Sequence, residues 1–65
     1  MNLALYDGKN IRITCVDGQV YEGVAELYYD EDETMQQYLW LRHPHKNVIV
    51  QFGVADIKNI VVLNN

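Results

Sequence analysis

Apolar and polar positions alternate with a period of two through residues 10–16. Ile11, Ile13 and Cys15 fall on one side and Arg12 and Thr14 on the other. That period marks a strand with one buried face. Asp17-Gly18 interrupts it. Aspartate and glycine tolerate the positive φ of a tight two-residue hairpin turn, so the pattern predicts a hairpin whose second strand covers residues 19–29. The second strand is rich in β-branched and aromatic residues, with Gly23 inside it. A glycine weakens a strand unless the chain bends there or another backbone comes close. A long strand bent at Gly23 predicts a sheet that curls into a small barrel.

The alternation resumes at QYLWLR, residues 37–42. Leu39 and Leu41 make the core face; Tyr38, Trp40 and Arg42 share the other. A face of that kind can stack bases, with arginine adding cation–π attraction, or pack on another subunit. HPHKN, residues 43–47, reads as a turn. His43 and His45 lack a third ligand, so no metal site is expected. Two further strands follow, at 47–53 and 58–65, joined by VADI as a single 3₁₀ turn that Asp56 can cap. Both strands are apolar on two faces. One face of a small barrel must look outward, so Val48, Ile49, Val50, Ile60, Val61 and Val62 are the candidate oligomer interface. Residues 1–9 form either a short helical turn or an extended lead-in, with Leu3, Leu5 and Tyr6 covering one end of the barrel.

Length and charge narrow this picture. Sixty-five residues make a single domain, residues 1–65. A chain of this size buries only about 60% of its unfolded surface, and small folds without staples often self-associate. With one cysteine there is no intrachain disulfide, and Cys15 reads as a small core residue. Net charge is −4, and Asp30, Glu31, Asp32 and Glu33 are consecutive; the other five acidic residues balance the five basic ones. The acidity belongs to one loop, expected to be solvated, and it lacks the ligand spacing of an EF-hand. No basic patch for non-specific nucleic-acid binding is evident. There is no 18-residue apolar run and no basic segment leading an apolar one, so a cytoplasmic protein with no membrane association is expected. The carboxylates cluster in one loop and the histidines in one turn. No catalytic residue and no cofactor is therefore expected, and the chain does not read as an enzyme.

The order of strand, tight turn, glycine-bent strand, loop, strand, turn, strand, 3₁₀ turn and strand makes the expected fold all-β. It is a strongly bent, five-stranded SH3-like small barrel. Within that class the sequence resembles the Sm and Sm-like (LSm) proteins. Ile11-x-Ile13 followed by VDGQVYEG, with Gly18 and Gly23 five apart, looks like the first Sm motif. VAELYYD matches the bent part of its second strand, and YLWLR its third. VIVQFGVADIKNIVVL, with Ile57 and Ile60, resembles the second motif. The resemblance implies a homo-oligomer, a ring of six or seven subunits, that holds RNA at its pore. The family's pocket residues are not evident here. Its aspartate falls one residue late, at Asp30; its asparagine falls near Tyr38; and Phe52 stands where arginine precedes the glycine, Gly53.

The expected function is an Sm-like oligomeric binding module, with RNA contact through Gln37, Tyr38, Phe52 and Gly53. The alternative is an acidic protein-interaction module of the same fold that regulates a basic or nucleic-acid-binding partner. Replacing Asp30, Glu31, Asp32 and Glu33 by their amides should leave the melting temperature nearly unchanged, because like charges in a solvated loop contribute no packing. Thermal denaturation followed by circular dichroism checks this; a large loss would make the run structural.

Overall fold

The computed structural model describes residues 1–29, 36–43 and 45–64. The acidic run at residues 30–33 lies outside the described residues. Five strands form one antiparallel sheet: β1 (Asn10–Cys15), β2 (Val20–Tyr29), β3 (Gln37–Arg42), β4 (Ile49–Gly53) and β5 (Ile57–Asn64). Their order is β4-β3-β2-β1-β5. The ladder does not close, because β4 and β5 stand at its two ends. No helix among the described residues is long and apolar enough to cross a membrane.

The β1–β2 hairpin forms where the alternation places it, but its turn is longer than two residues. Gly18 N–H donates to Cys15 O at 2.9 Å, and Cys15 N–H to Gln19 O at 2.8 Å. Val16 and Asp17 are therefore the central turn residues, and Gly18, at φ +91°, follows as the left-handed third position. A turn followed by a left-handed glycine is the usual three-residue hairpin loop. Asp17 acts through its side chain, Oδ1 accepting from Gln19 N–H at 2.9 Å.

Strand β2 is the hinge of the sheet. Its first half pairs with β1, from Thr14↔Val20 to Asn10↔Val24. Its second half pairs with β3, from Val24↔Arg42 to Tyr29↔Gln37. Gly23 and Ala25 are its buried positions at the change of partner. A Cβ on Gly23 would collide with the backbone carbonyl of Arg42. The glycine thus lets β3 close on β2 with nothing between their backbones. Past Val24, the edge of β2 facing β1 is completed from residues 7–9. Ala25 N–H donates to Lys9 O, Gly8 N–H to Ala25 O, and Leu27 N–H to Asp7 Oδ1 at 3.0 Å.

The concave face holds the core: Leu3, Ile11, Ile13, Cys15, Ala25, Leu39, Leu41, Phe52 and Ile57. Leu3 comes from a 3₁₀ turn, Leu3–Tyr6, started by Asn2 Oδ1 accepting from Ala4 N–H. Leu3 is fully buried and Tyr6 packs against the core, but Leu5 points to solvent. Of the expected end-cover only Leu3 and Tyr6 serve, because a tight 3₁₀ turn does not present three near-adjacent side chains to one face. The second 3₁₀ turn, Val54–Asp56, joins β4 to β5, and Asp56 Oδ2 accepts from Gly53 N–H at 2.9 Å. Strand β4 starts later than residue 47, because His43 N–H closes the β3–β4 hairpin on Val48 O at 3.1 Å.

Gly23→Ala should destabilise the fold by about 1–3 kcal/mol, since neither backbone at the contact can yield without breaking ladder bonds. In a domain of this size each kcal/mol lowers Tm by about 4–8 °C. An unchanged Tm in a thermal melt would overturn this account of the bend.

Candidate functional site

Three surfaces carry candidate chemistry. The first is the convex face of β2, β3 and β4. Trp40 lies on the outward side of β3, in register with Glu26 on β2 and Gln51 on β4. The Tyr28 ring stacks on the Trp40 indole, with centroids 4.4 Å apart and planes inclined by 16°. Tyr38 adds a tilted ring 6.4 Å from Tyr28. Trp40 Nε1–H donates to Gln51 Oε1 at 2.8 Å. Stacking on one strand and the amide bond to the other fix the indole from both sides. The cover over Trp40 comes from neighbouring strands. Tyr28 and Gln51 were not singled out from the sequence, because what brings them to Trp40 is the pairing register of three strands.

The second surface is the rim where β3 begins and β4 ends. Tyr38 faces Gly53 in register, and Gln37 lies beside it facing Tyr29. A Cβ on Gly53 would sit 3.6 Å from the Tyr38 ring, so backbone and ring are already in contact. Tyr38 and Gly53 are thus brought together, whereas Gln37, next to Tyr38 on β3, falls on the opposite face of the sheet. Phe52 is not part of this group. It is 4% exposed and faces the core, where Tyr21 meets its ring edge-on at 5.2 Å. Strand alternation sends neighbours to opposite faces, so Phe52 cannot stack on a ligand that reaches Gly53 from outside.

The third surface is the pair of outermost strands. Ile49 on β4 is 50% exposed and Val61 on β5 is 43% exposed. Val48 and Val62 are also exposed. Val50 and Ile60, by contrast, pack against the protein's own core.

Two cavities flank the sheet. One, of about 280 Å³, is lined by Cys15, Asp17, Tyr21, Phe52 and Asp56 among others. Burial pushes the Cys15 thiol above its ordinary value of 9.0, and the carboxylates of Asp17 and Asp56 add to the shift. This is the environment of an inert thiol. The other, of about 240 Å³, lies between Tyr21, Leu41, Val48 and Val50, with Glu22, His43 and Lys46 at its edge. His43 Nδ1 accepts from His45 N–H at 3.1 Å, which commits that nitrogen to holding the turn. Among the described residues no group of three or more His, Cys, Asp or Glu side chains is placed to hold a metal ion.

No family model matches the chain, and no curated protein or solved structure gives a match.

Cys15 should be alkylated by iodoacetamide at pH 8 at least about tenfold more slowly in the folded protein than in denaturant, since only the thiolate reacts. The folded thiol holds its proton more tightly than the unfolded one. Its contribution to stability is therefore complete below pH 9.0 and declines as pH rises toward the higher folded value. Urea melts between pH 8 and 10.5 should show that decline in the natural sequence and a smaller one in Cys15→Ala.

Proposed function

We propose that the protein is an Sm-like module that self-associates edge to edge and contacts RNA at one rim of the assembly. The observation that carries this reading is the state of the two outer strands. Strands β4 and β5 end the sheet on opposite sides, and each shows exposed apolar side chains, Ile49 on one, with Val48 just before it, and Val61 and Val62 on the other. A sheet edge with apolar flanks is a template for a further strand. The two edges are different surfaces of one molecule, so pairing β4 of one copy with β5 of the next is heterologous. Such contacts generate a ring when the rotation closes. The Sm-like barrel itself is the finer reading of the open sheet. Its support is the element order, the Gly23 bend and the 3₁₀ turn between the last two strands. The RNA contact falls to Tyr38 and Gly53, where the tyrosine ring offers a stacking surface beside a bare backbone. No catalytic role is assigned to any residue.

Size-exclusion chromatography with light scattering, at about 100 µM protein, is the first test. The expected result is a discrete oligomer that Ile49→Lys or Val61→Glu reduces to monomer without altering the circular dichroism spectrum. A monomer in the natural sequence would overturn the assembly. If the oligomer forms, Tyr38→Ala should weaken binding of an oligouridine by about fivefold or more, the loss expected for one stacked base. Equal binding by Tyr38→Ala would remove the rim as the RNA site.

A further inference from the structure

We propose that the convex aromatic face, Tyr28 and Trp40 with Glu26 beside them, docks a cationic protein segment through an arginine side chain. This goes beyond the assembly above and does not need it, since a single copy presents the same face.

The rings are held before any ligand arrives. Tyr28 and Trp40 stack at 4.4 Å, and Gln51 holds the indole N–H at 2.8 Å. A ligand therefore meets rigid π surfaces that lose little freedom on binding. Aromatic faces carry negative quadrupole potential, which favours a cation over the ring. Charge around the rings adds to that preference. Glu26 is in register with Trp40, two positions from Tyr28 on the same strand face. Among the described residues Glu26 has no ion-pair partner, whereas Glu22 on the same face is bonded to Arg12 at 2.7 Å. Arg42 lies one step along β3, in register with Val24 and Ile49 rather than with Glu26. A guanidinium laid on an outer face of the stack would stack flat, with the Glu26 carboxylate on the paired position as its ion partner. Arginine suits this better than lysine because its planar, weakly hydrated fork stacks and bonds together.

The other occupants fit less well. A nucleic-acid strand would bring phosphates against Glu26 on a chain of net charge −4. A second copy would bring the same charge and the same Glu26. A cationic segment is attracted by both local and net charge.

Trp40 is the sole tryptophan, so its fluorescence reports on this face directly. The test is titration of the full chain with a twelve-residue arginine-glycine repeat peptide, and separately with a twelve-residue oligouridine, at low and moderate salt. Saturable quenching by the peptide is expected. Glu26→Gln should weaken it by about two- to fivefold and flatten its salt dependence. Tyr28→Leu should weaken it by about fivefold or more, with circular dichroism confirming that the sheet is intact. A variant with residues 30–33 converted to amides should keep a saturable response that Glu26→Gln weakens further. Three results would overturn the proposal. They are a peptide affinity untouched by Glu26→Gln and Tyr28→Leu, a response that disappears with the charges at 30–33 alone, or quenching by oligouridine with none by the peptide.

Discussion

The fold depends on one close approach, the backbone of β3 at Arg42 against the backbone of β2 at Gly23. At that point β2 exchanges one partner strand for another, and the exchange turns a flat five-stranded sheet into a concave one. With a side chain at position 23 the strands would stand apart and the concavity would open. Ala25, the next inward residue, is the other small side chain at the bend. The larger core residues come from the flanking strands: Ile11 and Ile13 from β1, Leu39 and Leu41 from β3, Phe52 from β4. The bend is made of small residues and the filling of large ones, and neither works without the other.

A core of this size gives little margin. Hydrogen bonds at the strand ends supplement it. Asp7 completes the β2 edge at Leu27, Asp56 closes on Gly53, and Val16 N–H reaches Asp56 O at 3.0 Å, tying the first hairpin loop to the start of β5. Bonds of this kind contribute about 0.5–1.5 kcal/mol each. They fix where the strands end rather than how strongly the sheet holds. The ladder edges of β4 and β5 remain outside this arrangement. Burying Ile49 and Val61, at about 25 cal/mol per Å², is a stabilisation still open to the chain. That is the physical reason for expecting assembly from a domain this small.

Most of the architecture was legible in the chain itself. Period-two alternation located β1 and β3 and assigned Leu39 and Leu41 to the core, because a strand buried on one face allows no other phase. Gly23 announced the bend, since an isolated glycine in a strand has few other uses. The 3₁₀ turn at Val54–Asp56 was legible from the shortness of VADI between two strands. The hairpin loop was not, because Asp17-Gly18 satisfies both a two-residue turn and the end of a three-residue one. Only the hydrogen bond from Gly18 to Cys15 separates them. The candidate site was legible in part. Composition offered Trp40 and Tyr38, but Tyr28 and Gln51 enter through register, which a single sequence does not carry. Phe52 was misplaced as a ligand contact because analogy with a motif position overrode the alternation that sends it inward.

The two surfaces left to do work use different parts of the chain. The outer strands offer main-chain donors and acceptors with apolar flanks, which suit another strand and have little chemical selectivity. The convex face offers side chains only, since β2 and β3, which carry its rings and Glu26, are already bonded on both edges. What it can recognise is therefore set by ring faces and by the charge of Glu26. A partner that adds a strand and a partner that stacks a guanidinium need not compete, because β4 contributes its edge to the first and only Gln51, as a brace for Trp40, to the second. The proposed assembly and the proposed recognition can thus be tested by separate substitutions. Gln51 is the point where the free-edged strand holds the aromatic stack in place.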